Sequence, residues 1–177
     1  ICYGITSGST PPKDEFREDE GVPYLKVYNI REQRIDFDYK SQYVDASYHS
    51  TKLKRSILYP GDVVMNIVGP PLGKVAIIPS TYPEWNCNQA ITFFRPIEPE
   101  MNTYIYTYLI AGTFLNAIEL IGTAGQDNIS VTKSRSIVLP IPPLEEQPKI
   151  VAIVEKLMAL CDSLKARIKE SQTTQLH

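Results

Sequence analysis

Two short segments carry residue types that could do chemistry, and each lacks a part that its reaction needs. The segment GPPLGK at 69–74 has the glycines and lysine of a phosphate-binding loop, but only three residues separate its glycines and Val75 follows the lysine. That motif needs four residues there and a following Ser or Thr. Residues 38–40, Asp-Tyr-Lys, supply half of the acid-x-lysine pattern of Mg²⁺-dependent nucleases, without the preceding Pro-Asp pair. We expect a turn between two strands at the first segment and a surface strand end at the second.

Histidine and cysteine are too scattered to predict a metal site or a nucleophile. His49 and His177 are the two histidines, and the cysteines stand at 2, 87 and 161, so no paired zinc-ligand spacing exists. His49 lies in a polar stretch, which predicts a solvated side chain; the alternative is a contact to a DNA backbone or phosphate. Cys87 has no credible base nearby and is expected to be a packing residue. We predict no catalytic residue, no metal and no cofactor for this chain.

Two polar loops and a few basic residues remain as groups that could bind a ligand. Residues 6–12 and 122–130 are rich in hydroxyls, amides and glycine, which contact phosphates or base edges, although ordinary turns share this composition. The net charge of −2 opposes nucleic-acid binding, but acids cluster at 14–20 and 145–146 and leave positive charge elsewhere. Phosphate contacts are expected from Lys52, Lys54, Arg55 and Lys74. Near the same face we expect Gln126, Asn128, Lys133 and Arg135, which include the candidate base-reading side chains.

Short strands must position most of these residues. Runs rich in Val, Ile, Tyr and Phe, bounded by Gly, Pro, Asn and Asp, predict strands at 22–30, 56–58, 63–68, 74–78, 90–95 and 136–141. Helical spacing predicts an amphipathic helix over 103–121, interrupted near Gly112, and a shorter helix over 47–54. The predicted fold class is therefore α+β, with a sheet-rich domain that contains a few helices.

A proline connector separates the strands from a long helix. Residues 139–143, Leu-Pro-Ile-Pro-Pro, cannot continue a helix or a central strand, because proline lacks the backbone donor and restricts its predecessor. The pattern that follows predicts a helix from Glu145 to about Thr174, roughly 45 Å long at 1.5 Å per residue. Its apolar seam alternates by four and three residues and consists of Ile150, Val154, Leu157, Cys161, Leu164 and Ile168. A coiled-coil partner is the favoured interpretation of this seam, and a helix folded back on its own domain is the alternative.

The odd, widely spaced cysteines argue against a disulfide framework and favour a reducing, cytoplasmic compartment. No apolar run approaches the roughly 18 residues that would span a bilayer, so we predict no membrane or export segment. Ile1 is no natural initiator, and we expect the chain to be a piece of a longer protein.

The motifs occur together in an order that resembles a known family, the type I restriction-modification specificity (S) subunits. The resemblance spans residues 4 to about 168 and rests on TSGSTP at 6–11, GVPYLKV at 21–27, PGDVV at 60–64, GKVA at 73–76, NQA at 88–90, GTAGQDNIS at 122–130 and PPLEEQ at 142–147. It implies a target-recognition, DNA-binding domain at 1–143, followed at 144–177 by a coiled-coil-type spacer and dimerisation helix.

The resemblance further implies a non-catalytic component that recognises one half of a bipartite double-stranded DNA target. The helix would pair with a second specificity half or with a copy of itself. The implied protein partners are methyltransferase (M) subunits and restriction (R) subunits, to which S-adenosylmethionine, Mg²⁺ and ATP would belong. The alternative is a specificity-domain fragment of a fused type IIB or IIG restriction-methylation enzyme, whose catalytic segments are absent from these residues.

Overall fold

A computed structural model describes residues 1–116, 121–123 and 126–174, with side chains described for 1–116 and 128–172. The strands are β1 (Cys2–Ser7), β2 (Phe16–Arg17), β3 (Val22–Leu25), β4 (Ile30–Arg31), β5 (Arg34–Ile35), β6 (Tyr43–Val44), β7 (Val63–Asn66), β8 (Val75–Ile77), β9 (Asn86–Cys87), β10 (Ile91–Pro96), β11 (Ile121–Thr123) and β12 (Gln126–Asn128). The α-helices are α1 (Ala46–Thr51), α2 (Asn102–Ala111), α3 (Val131–Arg135) and α4 (Gln147–Thr174).

The chain divides into two compact units, Ile1–Pro140 and Ile141–His177. In the first unit an antiparallel sheet has the order β1-β10-β7-β8, and a second, mixed sheet has the order β2-β6-β3-β9. Two hairpins, β4–β5 and β11–β12, complete the strand pairing of the described residues. The combination of β-sheets with a long helix near the C-terminus confirms the predicted α+β class.

The antiparallel sheet is buried on both faces, which explains why its central strands are apolar without alternation. Val64 and Phe93 pack on one side with Trp85. On the other side Val63, the neighbour of Val64, packs with residues of α2 that include Ile105. Because successive strand residues point to opposite faces, a run such as VVM at 63–65 supplies two cores at once.

Three predicted strands differ from the structure. Strand β3 stops at Leu25, and a 3₁₀ turn, Val27–Asn29, follows because the buried Asn29 amide accepts from Lys26 N (2.9 Å) and donates to Tyr39 O (2.8 Å). Residues 56–58 form the end of a 3₁₀ turn and an isolated bridge from Leu58 to Trp85. Residues 136–141 form no strand, because their carbonyls accept from tyrosine hydroxyls of α2 instead. In the first and third cases side chains bond to the backbone in place of a neighbouring strand, and in the second case the pairing is limited to a single bridge.

The helices were predicted better than these strands. Helix α2 ends at Ala111, where Gly112 adopts a left-handed φ of 68° that terminates an α-helix. A 3₁₀ turn, Thr113–Asn116, follows, and residues 117–120 of the predicted helix lie outside the described residues. Helix α1 is shorter than predicted and is capped by Asp45, whose carboxylate accepts from Ser47 N and Tyr48 N. Residues 38–40 form no strand end, whereas residues 69–74 connect the antiparallel strands β7 and β8, as expected.

Helix α4 extends over 28 residues and begins two residues later than predicted, at Gln147. Just before the helix, Glu146 N donates to Pro143 O (2.9 Å). At its first residue, the side-chain amide of Gln147 donates to Pro142 O (3.2 Å). Apolar side chains of the predicted seam are solvent-exposed, with Leu157 56 % and Ile168 58 % exposed. Among the described residues no helix combines the length and apolar character that crossing a membrane requires.

Candidate nucleic-acid interface

The two polar loops singled out in the sequence lie at the same end of the antiparallel sheet, with β10 and β7 between them. Gly8 N, just after β1, donates to Ile91 O at the start of β10 (3.0 Å). Ile67 N, just after β7, donates to Ala90 O (2.8 Å), and Ile129 N donates back to Ile67 O (2.9 Å). We call this region the loop end; it comprises residues 8–9, 67–68, 88–91 and 128–129. Segments more than a hundred residues apart in sequence are therefore linked at this end of the sheet through β10 and β7.

The first polar loop is held tightly at the loop end. Ser9 N donates to Cys87 O (3.0 Å), and the hydroxyl of Tyr24 donates to Ser9 O (2.8 Å). Burial raises the pKa of Tyr24 well above its ordinary value, so this hydroxyl keeps its proton and stays a donor. The Thr10 hydroxyl donates to the Gln89 side-chain oxygen, which fixes the side chain of Gln89. The loop thus presents polar groups from a rigid support.

The second polar loop includes the hairpin of β11 and β12. Residue 128 of this hairpin bridges to Val68 beside β7. The side chain of Gln126, a predicted base reader, lies outside the described residues. Asn128 is half-buried, and its side-chain oxygen is buried with no hydrogen-bond partner among the described residues. Asn128 lies at the loop end and Gln126 begins the same strand, and the contacts of both residues to bases stay a prediction.

The predicted basic residues stand on three separate elements. Lys52, Lys54 and Arg55 are exposed where α1 passes into a 3₁₀ turn, Lys54–Ser56. The buried Leu53 anchors this segment, and its carbonyl accepts from the Asn86 amide (3.3 Å) in β9. The second sheet therefore anchors the backbone that carries these cations.

Lys74 and the pair Lys133 and Arg135 occupy the other two elements. Lys74 is half-buried just before β8, and its backbone N–H donates to the side-chain oxygen of Asn66 (2.6 Å). Lys133 and Arg135 lie on α3, which Ser130 caps by accepting from Lys133 N (3.1 Å). Arg135 Nε donates to Ile5 O in β1 (2.9 Å), so part of its guanidinium is already engaged. A common DNA-facing surface for all three elements stays a prediction.

The prediction that His49 is solvated is wrong. His49 is only 2 % exposed, because its position on α1 turns it toward β9, on the same side of the helix as Leu53 four residues later. Its Nδ1 accepts from the Asn86 amide (3.1 Å), so Nε2 donates to the Glu84 carboxylate (3.0 Å). His49 therefore ties α1 to the second sheet and supports the basic segment that follows.

One group of cations was missed by sequence reasoning. Arg31 lies over the Tyr39 ring at 4.3 Å, and Lys40 lies within 5.7 Å of Tyr28 and 5.3 Å of Tyr39, measured to the ring centroids. The signal was an interleaving of basic and aromatic residues over 28–40. Carboxylates in the same stretch hid it, because they made the segment appear electrically balanced.

A family model described as type I restriction modification DNA specificity domain matches residues 3–171. The chain is 23 % identical to the EcoBI type I restriction enzyme specificity subunit of Escherichia coli over 181 residues, covering 97 % of this chain and 34 % of that protein. It is 29 % identical to the EcoEI specificity subunit of Escherichia coli over 126 residues, covering 68 % of this chain and 21 % of that protein. The chain thus spans about a third or less of these relatives.

Solved structures have the same fold. The crystal structure of the HsdS subunit from Thermoanaerobacter tengcongensis aligns with a TM-score of 0.62 at 21 % identity, over 93 % of this chain and 37 % of that one. A chain from a study of complex assembly and conformational transition of the type I R-M system aligns with a TM-score of 0.69 at 20 % identity, over 94 % of this chain and 38 % of that one. The family model, which covers nearly every residue, confirms the resemblance: the chain belongs to the type I restriction-modification DNA specificity family.

Proposed function

We propose that residues 1–143 bind one half of a bipartite double-stranded DNA target, in a sequence-specific manner and without catalysing a reaction. The observation that carries this proposal is the convergence of the two polar loops at the loop end. The backbone of Gly8 and that of Ile129 are joined there through β10 and β7. Sequence readout needs amides and hydroxyls held at fixed positions, and this convergence supports such a role.

The proposed division of labour follows from side-chain chemistry. Lysine and arginine contact phosphates and position the duplex, whereas amides and forked donors distinguish base edges. Phosphate contacts are proposed for Lys52, Lys54, Arg55 and Lys74. Contacts near the base edges are proposed for Gln126, Asn128, Lys133 and Arg135. The Gln89 amide joins this second group, because Thr10 occupies its oxygen and leaves its NH₂ to donate.

We propose that residues 144–177 serve as the spacer and dimerisation helix. Helix α4 carries the seam of Ile150, Val154, Leu157, Leu164 and Ile168, and most of these side chains are exposed. An exposed apolar stripe on a long helix is typical of a protein-interaction surface. A second specificity half, or a copy of this chain, would cover the stripe as a coiled coil. The complete complex would add methyltransferase and restriction subunits, which supply all catalysis.

Methylation mapping tests this function for any target sequence. Single-molecule sequencing compares the genome of a strain that carries the gene with that of an otherwise identical strain lacking it. We expect a methylated motif with two short specified parts around an unspecified spacer, present in the first strain alone. Replacing this chain with that of a relative should change one part of the motif and leave the other part intact. Identical methylation in both strains would contradict the proposal.

A further inference from the structure

A cation-lined groove lies beside the β4–β5 hairpin, at the edge of the antiparallel sheet. We call it the hairpin groove. Its lining has two cations and one carboxylate and consists of Tyr28, Ile30, Arg31, Glu32, Gln33, Tyr39 and Lys74. Lys74 belongs to the connection between β7 and β8, so this groove adjoins the segment that reaches the loop end.

The hairpin that forms one wall is anchored to the rest of the unit. Its two-residue turn, Glu32 and Gln33, has positive φ angles of 48° and 59°, as a tight hairpin turn requires. The Gln33 side-chain oxygen accepts from Val75 N in β8 (2.7 Å), and its backbone oxygen accepts from the Tyr106 hydroxyl of α2 (3.0 Å). These bonds hold the wall against β8 and place Arg31 and Lys74 in one groove.

Arg31 is held in position before any ligand arrives. Its guanidinium stacks on Tyr39, and Nε lies 3.0 Å from the Asp36 carboxylate, which also accepts from Tyr39 N (3.3 Å). The contact with Asp36 engages Nε, and the described residues supply no hydrogen-bond acceptor for the terminal nitrogens. The Arg31 side chain is 48 % exposed. A positioned guanidinium loses little rotamer freedom on binding and matches the oxygens of a phosphate.

The charge around the groove favours an anion. Arg31 stands directly opposite Arg34 in the β4–β5 ladder, and like charges opposite each other destabilise a strand pair unless an anion compensates them. Lys40 and Lys74 add two further cations. The opposing carboxylates are at 32, 36 and 38, and Asp36 is already engaged by Arg31. With the Arg31–Asp36 pair set aside, the three remaining cations outnumber the two remaining carboxylates by one.

We propose that the hairpin groove binds a phosphate of the DNA backbone, with Arg31 and Lys74 as its contacts and Tyr28 and Tyr39 as the support for the cations. This inference rests on the proposed function and deepens it. A backbone phosphate fits better than an unstacked base, because Arg31 and Lys40 already lie against the tyrosine rings on which a base would stack. The groove would therefore position the duplex for the base readers at the loop end.

The salt dependence of binding to a short duplex of mixed sequence tests the groove. We compare the full chain with R31A/K74A and with the control K156A/K165A, which removes two charges from exposed positions on α4. Each phosphate contact contributes a slope of about −0.9 in log affinity against log salt, so losing two should reduce the slope by about 1.8. Between about 50 and 200 mM salt, the ratio of wild-type to variant affinity should then shrink by about 12-fold. The control should keep the wild-type slope.

Further outcomes separate the groove from the function as a whole. A wild-type chain that binds no duplex at any salt concentration overturns both proposals. A steep wild-type slope that R31A/K74A leaves unchanged overturns the groove alone, and so does a loss of methyltransferase assembly with unaltered DNA binding. If R31A/K74A does not fold, the variant R31K provides the second test. It keeps the charge but loses the planar fork, and should weaken binding with little change in slope.

Discussion

Gly8 is the position where one added methyl group should disturb the candidate interface most. A Cβ atom built on Gly8 would stand 2.1 Å from Cys87 O and 2.3 Å from Asn88 O, both of which are backbone atoms. Ordinary contacts of a Cβ begin at 3.4 Å, so G8A must move the loop away from β9 by more than 1 Å. Neither oxygen belongs to a flexible side chain that could rotate away. The backbone itself has to shift.

The magnitude follows from the bonds that this shift stretches. Gly8 N to Ile91 O and Ser9 N to Cys87 O both measure 3.0 Å, and the Tyr24 hydroxyl lies 2.8 Å from Ser9 O. A typical hydrogen bond contributes about 1 kcal/mol net, so losing two or three of them lowers the free energy of unfolding by about 2–3 kcal/mol. For a domain of this size, that corresponds to a fall in melting temperature of roughly 6–12 °C.

Thermal melting and DNA binding are measured on G8A and on the matched control G4A. Gly4 lies in β1, the strand that leads to Gly8, but a Cβ there would meet only Arg95 Cβ at 3.5 Å and Phe93 at 3.7 Å, which are ordinary contacts. We expect G4A to melt close to the wild type and to bind DNA normally, whereas G8A melts lower and loses affinity for its target. A melting temperature for G8A within about 1 °C of that of G4A, well short of this fall, would refute the reasoning.

Three other predictions concern the helix, the buried ion pair and the cysteines. L157D/L164D places charges in the apolar seam and should weaken self-association or methyltransferase assembly in sedimentation measurements, without lowering the melting temperature of the first unit; unchanged assembly would contradict the coiled coil. The Asp62 carboxylate accepts two hydrogen bonds from the Arg95 guanidinium, at 2.6 and 2.8 Å, and D62A leaves that guanidinium without its partner. It should lower the free energy of unfolding by about 3 kcal/mol in chemical denaturation, and an unchanged midpoint would contradict this. Burial raises the pKa of the Cys87 thiol. In the folded chain at mildly alkaline pH, a thiol reagent should therefore modify the exposed Cys161 and spare Cys87, as measured by mass spectrometry. Equal labelling of the two cysteines would contradict the burial of Cys87.

Local sequence patterns were sufficient where neighbouring residues decide the conformation. The prolines at 140, 142 and 143 end the strand-rich part, and the alternation of apolar residues after Gln147 predicts a helix that the structure contains. Gly112 ends α2 for the same kind of reason, because its left-handed φ suits glycine best. The failures occurred where a distant partner competes with the local preference. Val27–Asn29 has strand-forming residues, yet the Asn29 amide binds carbonyls beyond β5 and makes a turn.

The sequence by itself determined the family, the α+β class, the long helix and the two polar loops, because motif order, turn residues and apolar periodicity are local properties. The tertiary structure alone decided that these loops lie at the same end of one sheet, since Gly8 and Ile129 are linked only through bonds to β10 and β7. It also turned His49 inward against Asn86 and Glu84, although its flanking residues are polar. The hairpin groove depends on Gln33 bonding to Val75, a pairing across more than forty residues that no local pattern encodes. Long-range hydrogen bonds and burial therefore assemble a site from segments that the sequence could only identify one at a time.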